Sequence, residues 1–90
     1  MLHLLTADEA AILEAADQVR FGELLEVEIA AGEPKISMRL TAPQIAFIKT
    51  LRDEGLRKLD CIVIHNGIPS QIEVDGQFRT IKYKRKIRFN

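Results

Sequence analysis

Apolar and polar positions change their spacing several times along this chain, and each change marks an element. Ile12, Leu13, Ala16 and Val19 recur at three- and four-residue intervals with Glu14, Asp17 and Gln18 opposite them, which predicts an amphipathic helix. Thr6-Ala7-Asp8-Glu9 marks its start: in this capping box the threonine oxygen takes the Glu9 N–H and the glutamate reaches back to the cap. The helix should end near Arg20 to Gly22. From Glu23 the period is two, with Leu25, Val27 and Ile29 alternating with Glu26 and Glu28. After Ala31-Gly32-Glu33-Pro34, Ile36, Met38 and Leu40 alternate with Ser37 and Arg39. Two alternating runs around a Gly-Pro turn predict a hairpin. Placing Ala30 opposite Lys35 sets Ile29 by Ile36, Val27 by Met38, Leu25 by Leu40 and Glu26 by Arg39.

Thr41-Ala42-Pro43-Gln44 is a second capping box, with Pro43 in the first turn, where its missing N–H costs nothing. This predicts a second helix to about Glu54, with a stripe of Ile45, Ile48 and Leu51, Phe47 beside it, and Gly55 as a left-handed stop. Leu59 to His65 is apolar on both faces, as a central strand is. Asn66-Gly67 and Asp75-Gly76 are two-residue hairpin signals, giving a meander of residues 59–65, 68–74 and 77–89. In that register Cys61, Val63, Ile72, Val74, Ile81 and Tyr83 share a face. The expected core holds Val27, Ile29, Met38, Ile48, Leu51, Ile62, Val63 and Ile72.

The order αββ-αβββ predicts an α+β fold, mainly one antiparallel sheet with both helices on one face. An offset of 35 residues matches Thr6 to Thr41, Glu9 to Gln44, Leu13 to Ile48, Leu24 to Leu59, Ile29 to Ile64, Gly32 to Gly67 and Pro34 to Pro69. This predicts an internal duplication of an αββ unit, residues 6–40 and 41–75, followed by a terminal strand 77–89.

Composition narrows the class. Ninety residues, 47% apolar and 29% charged, suit a single domain, 1–90, that buries about 60–65% of its unfolded surface. With Cys61 alone no internal disulfide can form. The apolar start is too short for a signal peptide and no stretch reaches the length of a membrane span, so a cytoplasmic location is expected. Net charge is zero, yet residues 1–45 hold eight acidic and three basic side chains and residues 46–90 hold five and ten. That asymmetry fits pairing inside the fold, head-to-tail self-association or a basic surface for nucleic acid.

Arg20-Phe21-Gly22-Glu23 opens an alternating run that leads to a Gly-x-Pro turn. The second half carries Ile64-His65-Asn66-Gly67-Ile68-Pro69-Ser70-Gln71-Ile72-Glu73 and closes in Lys86-Ile87-Arg88-Phe89. This pattern resembles the small, uncharacterised bacterial YezD-like proteins, which carry a helix, a strand opened by an aromatic-glycine pair, an "hDGkxxqIE"-like turn and a basic-apolar end. Here Asp75 to Arg85 is extra material before the closing Arg-Phe. The resemblance implies a bacterial fold unit and brings no functional residues with it.

Catalytic patterns are not evident. Cys61 and His65, four apart on a strand, lie about 13 Å from each other by strand rise, too far for a thiolate-imidazole pair. Cys61 amid Ile62 and Val63 reads as a core thiol, His65 as a sheet-end residue and His3 as a terminal surface residue. No metal-ligand spacing and no phosphate loop occur, and the glycines stand singly at element ends, so no cofactor, metal or small-molecule substrate is expected. The segment with chemical character is Arg79 to Arg88. Lys82, Lys84, Lys86 and Arg88 alternate with Ile81, Tyr83, Arg85 and Ile87, which on a strand puts four cations on one face. Such a row protects an edge, pairs with the Glu26–Glu28 strand, docks a protein or follows a phosphate backbone; the chain's pI near 6.7 is low for the last. The expectation is a non-catalytic binding or adaptor module, self-associating as a homodimer or binding another protein through Lys82, Tyr83, Lys84, Lys86, Ile87, Arg88 and Phe89. A small nucleic-acid-binding regulator using Arg79 to Arg88 is the alternative.

Overall fold

The structure, a computed structural model, describes residues 1–82. Along the chain it forms β1 (Leu2–Leu5), α1 (Ala7–Val19), β2 (Gly22–Glu28), β3 (Ile36–Arg39), α2 (Ala42–Asp53), β4 (Lys58–His65), β5 (Ile68–Val74) and β6 (Gln77–Thr80). The fold is α+β with two antiparallel sheets, a β1–β3 ribbon and a four-stranded sheet of order β2-β4-β5-β6. Both helices start as the capping boxes require: Thr6 and Thr41 accept the N–H groups of Glu9 and Gln44, whose side chains accept the N–H groups of the threonines in return. Gly55, at φ 60, lets the chain leave α2 in a left-handed turn, where the Leu56 N–H reaches the Leu51 carbonyl at 2.9 Å.

Strand pairing differs from the hairpin expected for residues 23–40. β2 pairs with β4, with Leu24 opposite Ile62 and Val27 opposite Leu59, and β3 pairs with β1, so Ile29 does not meet Ile36 and Glu26 does not meet Arg39. The connector explains the divergence. Asp8 Oδ2 accepts the Ala30 N–H at 2.6 Å and the Leu5 carbonyl accepts the Lys35 N–H at 3.0 Å, so each end of the supposed turn is held by the β1–α1 corner. Leu2–Leu5, an apolar run without alternation, supplies the partner that β3 needs, and His3 lies half-buried in it opposite Met38, not on the terminal surface.

The 35-residue offset therefore relates βαβ units, not αββ units, and Leu25–Leu40 is no counterpart of the hairpin Leu59–Val74. Shifting by 35 residues takes β1-α1-β2 onto β3-α2-β4 and exchanges the paired strands with each other. His3 faces its own counterpart Met38, and the pair Leu24–Ile62 maps onto Val27–Leu59. Core positions follow the same rule: Leu13 and Ile48, Ile12 and Phe47, Ala16 and Leu51, and Ile29 and Ile64 are all buried, while Leu24 and Val27 pack partly buried against the core that Leu59 and Ile62 fill. β5 and β6 have no counterpart in the first half.

Along β2 with the residue after it, and along β4, the inward positions are spaced three and then two apart: Leu24, Val27 and Ile29, then Leu59, Ile62 and Ile64. In β2 the reset falls at Glu26, whose φ of 51 breaks the alternation, so Leu25 points outward instead of joining Val27. A bulge acts similarly between β4 and β5. Asn66-Gly67 forms the expected tight turn, with φ values of 52 and 78, but after Ile64–Pro69 the next pair is Val63–Gln71. Ser70 is the extra residue, and its hydroxyl donates to the Val63 carbonyl at 3.2 Å. The slip sets Ile62 opposite Ile72, both fully buried, and moves Cys61 and Val63 to the other face, apart from Ile72 and Val74. Val27 and Met38 pack at the core margin, whereas Val63 is only half-buried, on that other face. Both helices lie against β5, on one face of the sheet. Ile45, expected in the stripe, is 37% exposed, and Phe47, expected only beside it, is fully buried.

Candidate functional site

With the helices on one face, no other described element covers the opposite face of the four-stranded sheet or the far sides of its two outer strands. Along β2, Glu23, Glu26 and Glu28 are all exposed at one margin. β6, exposed throughout, forms the other margin and leads to the exposed Lys82. Arg79 leans toward α2, where its Nη1 donates to Glu54 Oε1 at 2.7 Å. Of the expected partner-binding residues, the structure places Lys82 just beyond β6, beside the exposed Ile45, Lys49 and Asp53 of α2. Tyr83, Lys84, Lys86, Ile87, Arg88 and Phe89 lie outside the described residues, as does most of the expected strand 77–89. Because β2 and β6 are at opposite margins with β4 and β5 between, the described basic edge does not pair with the acidic strand of its own chain.

The open face carries a row across all four strands: Leu25, Cys61, Glu73 and Phe78. Leu25 is 65% exposed and Phe78 55%. Phe21, also exposed, stands edge-on to His65 with ring centroids 5.3 Å apart. Sequence periodicity put Leu25 on the same face as Val27 and Ile29, although the 35-residue offset pairs it with Asp60, a residue unfit for a core, and Leu24 with Leu59. That pairing was the signal for this apolar face.

Within the row Cys61 is buried. Burial, then the nearby charges of Glu23 and Glu73, push its thiol pKa up, which keeps it protonated and a poor nucleophile. Glu9, nearly fully buried, is held from both sides: Arg52 Nε donates to its Oε2 at 2.9 Å, Arg52 Nη2 to its Oε1 at 2.7 Å, and the Thr6 N–H to Oε1 at 2.9 Å. Burial opposes its ionisation, but these hydrogen bonds and the guanidinium charge outweigh it and hold the carboxyl below its ordinary range. Arg52 also donates to the Leu4 carbonyl at 2.8 Å, tying β1, α1 and α2 together. This ion pair is a brace between elements, fully partnered within the fold.

The α1–β2 corner and the β4–β5 turn meet in space. The Gly67 N–H donates to the Arg20 carbonyl at 2.8 Å and Arg20 Nη2 to Asn66 Oδ1 at 3.0 Å, joining the α1–β2 corner to the β4–β5 turn. Among the described residues no group of three or more His, Cys, Asp or Glu converges as a metal site would, and no helix is long and apolar enough to cross a membrane. No protein-family model, curated protein or solved structure matches the chain.

Proposed function

We propose that this chain is a non-catalytic binding or adaptor module that self-associates through its C-terminal segment, forming a homodimer in a bacterial cytoplasm. The observation that carries the reading is one of opposite charge: Glu23, Glu26 and Glu28 are exposed along the outer strand β2, while the sequence that follows β6 holds Lys82, Lys84, Arg85, Lys86 and Arg88. Unpaired N–H and C=O groups along an outer strand accept another strand, and opposite charges select which strand. Salt should weaken the contact, since exposed pairs are screened beyond about 8–10 Å at ordinary ionic strength. Sedimentation of the intact chain over a range of concentrations tests this. The intact chain should form a dimer and the chain lacking Lys86 to Asn90 should stay a folded monomer; an intact chain that stays monomeric at high concentration would leave the lysines as edge protection only. The nucleic-acid reading rests on the same cations. Fluorescence anisotropy against mixed DNA and RNA at two salt concentrations separates the two, because a regulator binds with a steep salt slope and the adaptor does not bind.

A further inference from the structure

The internal symmetry marks where an incoming strand fits. β4 is covered on its far side by β5, which sets Ile72 opposite Ile62 and Gln71 opposite Val63. Under the 35-residue offset the counterparts of Ile62 and Val63 are Val27 and Glu28 on β2, whose far side carries no strand among the described residues. The difference is visible in burial: Leu59 and Ile62 are 0% exposed, whereas Leu24 and Val27 are only half-buried. Ile29 donates its N–H to the Arg57 carbonyl at 2.8 Å, so by strand alternation the Glu28 N–H points away from β4 and is free to pair.

Building on the self-association reading, we infer that the outer edge of β2 is a strand-acceptor site for Lys86 to Phe89 of a second copy, added antiparallel as β5 adds to β4. Charge and pattern select one register. With Ile87 opposite Val27, Lys86 falls opposite Glu28, Arg88 opposite Glu26, and Phe89 comes against the exposed Leu25. A β2–β2 pairing of two copies is disfavoured, because it sets glutamates against glutamates. The occupant is thus a segment in which basic and apolar residues alternate, and the sequence from Lys82 to Phe89 has that pattern.

A synthetic peptide of residues 83–90, added to the isotope-labelled intact chain, tests the site by backbone NMR alongside sedimentation of variants. The largest amide shifts should fall on Leu25 to Glu28. Glu26→Lys with Glu28→Lys should weaken both peptide binding and self-association by about tenfold or more with an unchanged melting temperature, and Ile87→Asp in the peptide should abolish the shifts. Should the charge reversals lower the melting temperature, Glu28→Pro, which removes an outward N–H and leaves the β4 ladder intact, serves as the second variant and should abolish binding in a folded chain. Self-association that persists unchanged in these variants, with peptide shifts elsewhere, overturns the β2 site and leaves the self-association reading standing. An intact chain that remains monomeric and does not bind the peptide overturns both.

Discussion

Glu9 and Gln44 occupy the same place in the two halves, yet their removal should have different costs. Each accepts the N–H of its cap threonine, at 2.9 Å from Thr6 and 2.8 Å from Thr41. Truncating Gln44 to alanine loses the reciprocal half of a capping box, about 0.5–1 kcal/mol. Glu9 is buried and also takes two donors from Arg52. Breaking a fully buried pair costs about 3–5 kcal/mol, but the Arg52 side chain is 44% exposed and water can rehydrate it. Glu9→Ala should therefore cost about 2–3 kcal/mol, midway between an exposed and a buried pair. The effect should depend on pH with a defined sign. The folded carboxyl lies below its ordinary 4.5, so its contribution is complete above that value and is lost as pH falls through the lower folded pKa. Urea melts of parent, Glu9→Ala and Gln44→Ala at about pH 7 and about pH 3 give the comparison, with the Glu9→Ala gap shrinking in acid and the Gln44→Ala gap constant. Equal losses for the two variants at neutral pH, or a Glu9→Ala gap that does not shrink in acid, would refute the role assigned to the Arg52 brace.

Leu51→Ala removes a side chain buried between α2 and the sheet and should cost about 2–5 kcal/mol in denaturant melts; a loss below about 1 kcal/mol would show that α2 does not pack as described. Gly67→Ala forces a side chain into φ 78 and places its Cβ 2.6 Å from Arg20 Nη1, so it should cost about 1 kcal/mol or more and lower the melting temperature by several degrees. An unchanged melt would mean that the α1–β2 corner does not close on the turn. Cys61, buried and with its thiol pKa raised, should react with a thiol reagent only as fast as the fold opens, which timed labelling in graded urea would show.

What was legible in the sequence was local. Thr6 with Glu9 and Thr41 with Gln44 specify helix starts within four residues, and Asn66-Gly67 and Asp75-Gly76 specify their turns within two. Strand partners depend on residues far apart, and alternation in 23–40 fits a hairpin as well as it fits two strands pairing elsewhere. The left-handed Glu26 and the Ser70 bulge each reversed an inward-outward assignment, and neither residue type announces such a geometry. The 35-residue offset was visible, but its unit was drawn one strand late because Leu2 to Leu5 does not alternate. The acidic residues of the acceptor edge were also visible by type. That β2 lies at a margin was not, because sheet order follows from all the pairings together.

The contact proposed between copies joins unlike surfaces, a basic strand on one copy and the β2 edge on the other, and a mixing experiment tests that directly. Glu26→Lys with Glu28→Lys removes the acceptor, and Lys86→Glu with Ile87→Asp removes the strand that docks. Each variant alone should sediment as a monomer, and an equimolar mixture should form a one-to-one heterodimer, since each copy still holds the half that the other has lost. Two variants that remain monomeric when mixed, or that each dimerise alone as strongly as the parent, would contradict self-association by strand addition at β2.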